Sequence, residues 1–202
     1  MTVEVRKVTR GDVPEVAQAL ARAFADDPVM TYVIPERNRH RRMRRLFELD
    51  LHHIALRHDE SYTTVGPISG AALWAPPDKW RTSALSLAWS APSFLRVLGT
   101  NVRAAIRLMT AVERKHPKPP HYYLSTLGTE PDFQGKGIGS ALIQPVLDRC
   151  DAAGVPAYLE SSKEANVPFY RRHGFEITGE VTVADGPTLW LMWRDAQLST
   201  TR

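Results

Sequence analysis

Three glycines at alternate positions, Gly135, Gly137 and Gly139, lie between a predicted strand at 121–127 and a predicted helix at 135–153. Glycine has no side chain, so the backbone here stays open to the close approach of another group. The free N–H groups at the start of a helix, together with the helix dipole, favour an anion. The segment is therefore expected to fold as strand, loop and helix, with a ready site for a pyrophosphate group at the loop.

Two common phosphate-binding motifs do not match this loop. A P-loop has a lysine followed by a serine or threonine directly after its last glycine, and Gly139 is followed by Ser140 without a lysine. A dinucleotide-binding fingerprint needs a glycine where Leu142 stands. A glycine-rich turn that opens a helix and binds no ligand remains the alternative.

The rest of the chain alternates between strand and helix patterns. Helices are predicted to begin at Asp12 and to cover residues 36–57, 78–116 with breaks at Pro92 and Gly99, 135–153 and 167–173. Strands are predicted at residues 3–8, 61–65, 70–75, 121–127, 157–161, 175–183 and 187–193. This order is typical of a mixed α/β protein, and the length favours one domain over residues 1–202.

The composition is that of a globular protein, with 43% hydrophobic and 24% charged residues among 202. A chain of this size buries a core without a disulfide or a structural metal. The single Cys150 excludes an intrachain disulfide and a cysteine-based zinc site. The N-terminus has no apolar signal segment, and polar residues and prolines interrupt the apolar stretch at 84–112. We therefore expect a cytoplasmic protein with no membrane span and no bound metal.

Six arginines lie within nine residues, and without them the net charge falls from +4 to −2. They are Arg37, Arg39, Arg41, Arg42, Arg44 and Arg45. A nucleic-acid-binding patch is one interpretation, but no recognition motif accompanies the run, so the solvated face of a helix is favoured. Attraction of an anionic ligand, or pairing with Glu48 or Asp50, are two further interpretations.

Two motifs resemble those of the GNAT acetyltransferase superfamily. The segment from Gln134 to Gly139 matches the signature Q/R-x-x-G-x-G/A, and the segment from Asn166 to Phe175 resembles the motif N…FYxxxGF. The resemblance implies the GNAT fold: a mixed central sheet of about six or seven strands, flanked by helices and splayed at the cofactor site. It also implies a helical insertion before the fourth strand, at about residues 76–120, which is the least typical part of the chain.

The resemblance implies acetyl-CoA as the acetyl donor and assigns residues to it. The backbone of Leu127, Gly128 and Thr129 would bind the pantetheine arm as an added strand does. The pyrophosphate would be held by the N–H groups of Gln134, Gly135, Lys136, Gly137, Ile138, Gly139 and Ser140. The Lys136 side chain is either a further phosphate ligand or an ordinary solvated loop residue. Asn166 precedes Tyr170 by four residues, where common GNAT sequences have seven, and it is a candidate cofactor contact.

Catalytic roles follow from the same resemblance. Tyr170 is the candidate general acid that protonates the leaving thiolate, with a packed core tyrosine as the alternative. Glu160, at the end of a strand, is the candidate general base acting through water, with a solvated glutamate as the alternative. Glu130 and His121 are weaker candidates for the base. Cys150 is expected in the core, because direct transfer needs no nucleophilic thiol.

The expected activity is direct acetyl transfer from acetyl-CoA to the primary amine of a small molecule. The acceptor pocket is expected from residues 26–32, the second helix and residues 74–112, where aromatic and apolar side chains either line the pocket or pack the helices. These are Tyr32, Trp74, Trp80, Trp89, Phe94 and Met109. An acetyltransferase for proteins or peptides and a non-catalytic acyl-CoA-binding sensor are the alternatives. We expect a monomer or homodimer with no nucleic-acid or membrane partner.

Overall fold

Seven strands form one mixed sheet in the computed structural model, which describes residues 3–53, 55–81 and 84–197. The strands are β1 Val5–Lys7, β2 Ser61–Thr64, β3 Gly70–Ala75, β4 Tyr122–Thr129, β5 Ala157–Ser161, β6 Glu176–Thr182 and β7 Thr188–Arg194. Their order across the sheet is β1-β2-β3-β4-β5-β7-β6. The pairing of β4 with β5 is parallel, and the other neighbours are antiparallel.

Helices cover both faces of this sheet. They are α1 Val13–Ala23, α2 Pro28–Val33, α3 Arg39–His53, α4 Ala84–Leu98, α5 Val102–Lys115, α6 Ile138–Ala153 and α7 Val167–Arg172. One core cluster packs the five helices from α1 to α5 on the first face of the sheet. Leu20, Phe47 and Leu108 are among its buried residues. A second cluster packs α6 and α7 on the opposite face, around Leu142 and Phe175. The mixed α/β fold class predicted from the sequence is confirmed.

The helix pattern differs from the prediction at several places. Residues 78–81 and 135–137 are not helical, and three further differences concern α2, α4 and α3. Residues 28–33 form the helix α2, which the sequence prediction missed. Helix α4 continues through Pro92, so the predicted break there is wrong, whereas Gly99 adopts a φ of 53° and ends the helix as expected. Helix α3 begins at Arg39 because Asn38 adopts a positive φ of 59°, which a helix cannot contain.

Strands β4 and β5 separate in the middle of the sheet. They pair over three residues, and the last pair is Leu124 with Leu159. Next to this point β4 carries a bulge against β3, because Leu73 pairs with Thr126 while the next residue pairs with Leu124. A bulge bends and twists the strand that contains it. Strand β4 then continues to Thr129, paired with β3 but not with β5, so the sheet is splayed as predicted.

Close contact between the backbone and α1 explains a glycine in the splayed part of β4. A Cβ atom at Gly128 would lie 2.7 Å from Leu20 Cδ2 and 2.9 Å from Phe24 Cε2. Helix α1 therefore lies directly against the strand at this residue. Of the helices in the described ranges, none is long and apolar enough to cross a membrane.

Candidate functional site

The glycine-rich loop ends in an open N-terminus of α6. Gly135 and Gly137 have φ values of 74° and 81°, the left-handed region that favours glycine, and an added Cβ would meet no heavy atom within 4 Å. The first helical hydrogen bond of α6 runs from the Ala141 N–H to the Gly137 carbonyl, at 3.1 Å. The N–H groups before Ala141 therefore have no helical partner, and the helix dipole favours an anion beside them.

The third glycine of the loop has a different role from the one predicted. A Cβ atom at Gly139 would lie 3.3 Å from Phe169 Cζ, so the missing side chain allows α7 to pack against α6. The expectation that all three glycines leave the backbone open is therefore wrong for Gly139. Gly135 and Gly137 alone provide the open surface.

Side chains of the loop brace its own backbone. Gln134 Nε2 donates to the Thr129 carbonyl at 3.1 Å, and Lys136 Nζ donates to the Asp132 carbonyl at 2.9 Å. The Lys136 ammonium also lies 4.9 Å from the centre of the exposed Phe133 ring. Ser140 Oγ lies 2.9 Å from His173 Nε2, which connects α6 to the end of α7. Lys136 is exposed, so its charge remains available at the loop. Ile138 is buried and anchors the first turn of α6.

Tyr170 lies on α7, is 8% exposed, and belongs to the core cluster that contains Leu124 and Leu159, the last pair before β4 and β5 separate. Its ring packs edge-on against Phe169 and Phe175, with ring centres 5.1 Å and 6.0 Å away. Burial raises the pKa of the Tyr170 hydroxyl above its usual value, and the charge of Asp27 raises the pKa further. The hydroxyl therefore keeps its proton at neutral pH, as a general acid must.

Asp27 connects the α1–α2 junction to the β5–α7 junction, and the sequence analysis missed it. Its Oδ1 accepts from the N–H groups of Val29 and Met30, at 2.9 Å and 3.0 Å, and caps α2. Its Oδ2 accepts from the Ser162 hydroxyl. The sequence signal was present, because aspartate followed by proline is a typical N-cap and first helical residue.

Glu160 is the first residue of β5 beyond the last rung with β4, and its carboxylate is buried on the α5 face of the sheet. Its Oε2 accepts from the Tyr123 hydroxyl at 2.7 Å, and its Oε1 lies 3.5 Å from His116 Nδ1. The alternative of a solvated strand-end glutamate is wrong, since its side chain is 5% exposed. Neither Tyr123 nor His116 was a candidate from the sequence.

The weaker candidates for the base have other partners. The Glu130 carboxylate forms a bidentate ion pair with Arg22 on α1. It accepts hydrogen bonds from Arg22 Nε, at 2.6 Å from Oε2, and from Arg22 Nη2. His121 is buried, and its Nδ1 lies 2.7 Å from the Pro119 carbonyl. Cys150 is buried in α6, and burial raises the pKa of its thiol to about 12, as expected for a core residue.

Asn166 stands at the N-cap position of α7 without a side-chain hydrogen bond to the helix and is exposed, whereas Tyr170 is buried, so the two side chains have different surroundings. The part of the chain that the structure describes contains no group of three or more His, Cys, Asp or Glu side chains placed to hold a metal ion.

The aromatic residues predicted around the acceptor lie in different places. Trp74 is buried in the core on the α6 face, so it packs inside the protein, which is the alternative to lining the pocket. Trp80 stacks on His116 with ring centres 3.7 Å apart, close to Glu160. Phe94 packs against the core and Met109 is exposed, while the Tyr32 ring packs against Gly186 in the β6–β7 turn. The Trp89 side chain lies outside the described part.

The arginine run lies on and before α3 and has structural partners. Arg44 and Arg45 each lie 3.0 Å from a Glu48 oxygen, so the interpretation of pairing with Glu48 is confirmed for these two residues. For Asp50, the other acidic residue considered as a partner, burial raises the pKa of the carboxyl group to about 6. Arg42 donates to the Arg96 and Val97 carbonyls at the end of α4, at 2.6 Å and 2.7 Å. A cavity of about 310 Å³ lies beside this contact, lined by Asn38, Arg41, Arg42, Arg45, Ser93, Arg96 and Val97.

Comparison with known sequences identifies the family. Residues 59–175 match the model of the acetyltransferase (GNAT) family. The chain is also similar to an uncharacterized N-acetyltransferase of Schizosaccharomyces pombe, with 31% identity over 182 residues, which cover 84% of this chain and 73% of the yeast protein.

Solved structures show the same fold. A protein of Corynebacterium glutamicum, described as histone acetyltransferase HPA2 and related acetyltransferase, superposes with a TM-score of 0.76 and 28% identity over the full length of both chains. The PaiA N-acetyltransferase of Thermoplasma acidophilum, solved in complex with coenzyme A, gives a TM-score of 0.59 at 13% identity and covers 96% of this chain and 99% of its own. The chain belongs to the acetyltransferase (GNAT) family and is an acetyltransferase.

Proposed function

We propose that the protein transfers an acetyl group from acetyl-CoA directly to the primary amine of a small molecule. One observation carries the proposal: the gap between β4 and β5 opens beside an uncovered helix N-terminus. An unpaired strand edge binds an extended amide-containing chain, and a helix N-terminus binds a pyrophosphate. Pantetheine and pyrophosphate are joined in this way in coenzyme A.

The residues at this gap fit such a ligand. Leu127, Gly128 and Thr129 pair with β3 on one side, and no β5 residue pairs with them on the other. In the proposal their backbone binds the pantetheine arm. The N–H groups from Gln134 to Ser140 bind the pyrophosphate, Lys136 adds a positive charge, and Asn166 contacts the cofactor. A phosphate can approach Gly135 and Gly137 closely because no atom would meet a Cβ there.

Two side chains carry the proton transfers. Tyr170 protonates the leaving thiolate, since its hydroxyl is a donor that carries its proton at neutral pH. Glu160 accepts a proton from the acceptor ammonium through water, which leaves a neutral amine to attack the thioester. A backbone N–H near Leu127 to Thr129 polarises the thioester carbonyl. Direct transfer is supported by Cys150, whose buried thiol is unsuited to act as a nucleophile.

A small acceptor is favoured by α4 and α5, which lie between β3 and β4 within residues 76–120. Helix α5 buries Ala105 and Leu108 against the first face of the sheet, so this face is covered rather than left as an open groove for a peptide. We regard the chain, residues 1–202, as a single acetyltransferase domain with these helices as an insertion.

A narrower resemblance concerns one acetyltransferase of the family. The segments at 24–28, 131–140, 153–162 and 166–170 resemble puromycin N-acetyltransferase. This supports relatedness and leaves the acceptor to experiment, because the helical region before residue 120 is more divergent.

A thiol-release assay with acetyl-CoA tests the proposal across aminonucleosides, aminoglycosides, polyamines and peptides. We expect thiol release with at least one small amine, together with an acetylated product detected by mass spectrometry. Release with peptides alone would replace the small acceptor by a protein or peptide. Binding of acetyl-CoA without release across the whole panel would contradict catalysis and favour an acyl-CoA sensor.

A further inference from the structure

A second buried residue faces the carboxylate of Glu160. His116 lies just after α5, and its side chain is 2% exposed. Its Nδ1 lies 3.5 Å from Glu160 Oε1, and its Nε2 lies 3.1 Å from His121 Nε2. The Trp80 ring covers one face of the imidazole. His116 therefore has a fixed orientation between Glu160 and His121.

The hydrogen bonds determine which nitrogen of each histidine carries a proton. The Pro119 carbonyl can only accept, so His121 Nδ1, which lies 2.7 Å away, carries a proton and donates it. Burial lowers the pKa of His121, so the ring is neutral and its Nε2 has a lone pair. That lone pair requires a donor, which is the Nε2–H group of His116. The remaining nitrogen of His116, Nδ1, is the one that faces Glu160.

In the unprotonated pair, lone pairs on His116 Nδ1 and Glu160 Oε1 face each other, and a proton between them would draw the two atoms together. The 3.5 Å separation is longer than the roughly 2.7–2.9 Å of a charge-assisted hydrogen bond. Among the described residues, no donor reaches Glu160 Oε1, and the neighbouring Tyr158 hydroxyl is also buried without a partner. Buried polar atoms are normally satisfied, so a carboxylate oxygen without a donor that faces an imidazole nitrogen indicates a place for one proton.

We propose that His116 and Glu160 act together as the general base, holding one proton between Nδ1 and Oε1. The inference rests on the proposed function, since Glu160 alone is the base there. His116 is a positioning residue, because it acts on the acceptor through the carboxylate.

The acceptor ammonium loses one proton to a bridging water, which passes one of its own to Glu160, and His116 Nδ1 stabilises it there. The neutral amine attacks the thioester carbon, and the C–S bond breaks. Tyr170 gives its proton to the leaving thiolate. The proton that the new amide nitrogen loses then restores the Tyr170 hydroxyl. The proton on the pair returns to solvent before the next turnover.

Other titratable groups around the pair set its proton affinity. Tyr123 on β4 donates to Glu160, and Tyr158 lies beside Glu160 on β5, where burial and the Glu160 charge raise its pKa. Asp50 on α3 acts on Tyr123, and Asp78 after β3 acts on His121. Both aspartates favour a positive charge nearby.

Nuclear magnetic resonance of protein labelled with 15N-histidine tests the pair without any activity. We expect the 15N resonances to show His116 Nε2 protonated throughout and Nδ1 as the nitrogen that responds to pH. Glu160→Gln removes the negative charge that faces Nδ1, so the response of that resonance should move to lower pH. An unchanged response in a folded Glu160→Gln variant would overturn the proposal.

The pH dependence of kcat tests the role in catalysis, with one amine used for all variants. His116→Gln keeps an amide donor toward His121 and removes the Nδ1 site. Without His116 the carboxylate is a weaker base, so the rising limb of kcat should move to lower pH by about one unit and the plateau should fall about tenfold or more. His40→Gln, at an exposed position on α3, is the matched control and should match the wild type.

The outcomes separate this inference from the proposed function. An unmoved limb in folded His116→Gln, with normal transfer by the wild type, would overturn the pair and leave the acetyltransferase proposal intact. No transfer by the wild type to any amine would overturn the proposed function and the catalytic role, and the resonance titration would still decide whether the two groups share a proton.

Discussion

Arg194 on β7 and Asp151 on α6 form a bidentate ion pair, with both N–O distances at 2.7 Å. The guanidinium is 4% exposed, so loss of its partner leaves a charge in the protein interior. We predict that Asp151→Asn lowers the free energy of unfolding by about 3 kcal/mol, as for other broken buried pairs. Urea denaturation measures this value. Asp148→Asn, at an exposed position on α6, is the control and should change it by less than about 0.5 kcal/mol.

The same pair predicts a pH dependence of stability. The hydrogen bonds from Arg194 hold the pKa of Asp151 below its usual value. This stabilisation is complete above the pKa of an unfolded aspartate, about 3.9, and is lost as the pH falls through the lower folded pKa. The difference in unfolding free energy between wild type and Asp151→Asn should therefore shrink in acid. A difference that grows in acid would contradict the assignment.

Gly128 should tolerate no side chain. A Cβ there would lie within 3 Å of Leu20 and Phe24, so Gly128→Ala has to push α1 away from β4. We predict a loss of about 1–3 kcal/mol in unfolding free energy, measured by thermal or urea denaturation. Gly179→Ala in β6 is the control, because the nearest atom would be at an ordinary 3.7 Å. Equal stability of the two variants would contradict the close packing of α1 on β4.

Two substitutions at Gly137 distinguish the effect of a negative charge from the effect of backbone strain at the anion site. Asparagine and aspartate both tolerate its positive φ of 81°, and nothing lies within 4 Å of a Cβ there. Acetyl-CoA at about 100 times its Kd should stabilise the wild type by about 2.7 kcal/mol. Gly137→Asp should lose this rise in Tm, because a carboxylate repels the pyrophosphate, whereas Gly137→Asn should keep most of it. An equal rise in Tm for the two variants would contradict a pyrophosphate site at this loop.

The arginine run should affect stability more than turnover. Arg42→Gln removes the donors to the end of α4 and should cost about 1–2 kcal/mol in unfolding free energy. Arg41→Gln, at an exposed position on the same helix, should cost less than about 0.5 kcal/mol. Steady-state assays of both folded variants should give nearly the wild-type kcat. A collapse of kcat in Arg41→Gln would show that the basic surface serves the active site.

Local patterns predicted the parts of the site that are close together in sequence. The loop from Gln134 to Ser140 and its helix, and the strand 157–161, are contiguous segments whose residue types determine their conformation. The sheet was predicted for the same reason, since each strand has its own β-rich pattern. Tyr170 was predicted only through a motif, and its burial against Phe175 is consistent with a site residue that is also packed.

Long-range contacts were not predictable from these patterns. His116 and Glu160 are far apart in the chain and meet because β4 and β5 run parallel from one end of the sheet. Pro92 remains within α4, although proline removes a helical hydrogen bond and usually ends a helix. The Asp27–Ser162 contact likewise depends on the tertiary fold, and a local N-cap signal cannot indicate it.

The most direct test of the mechanism is a single-turnover measurement on Tyr170→Phe. The substitution removes one hydroxyl and keeps the ring that packs between Phe169 and Phe175, so the variant should fold and bind acetyl-CoA as the wild type does. With excess enzyme and an amine that the wild type accepts, rapid quenching should show the chemical step slowed by about 100-fold or more. The loss should appear in kcat and not in the KM for acetyl-CoA, because the hydroxyl acts in the transition state. An unchanged single-turnover rate in a folded variant would contradict the assignment of Tyr170 as the general acid.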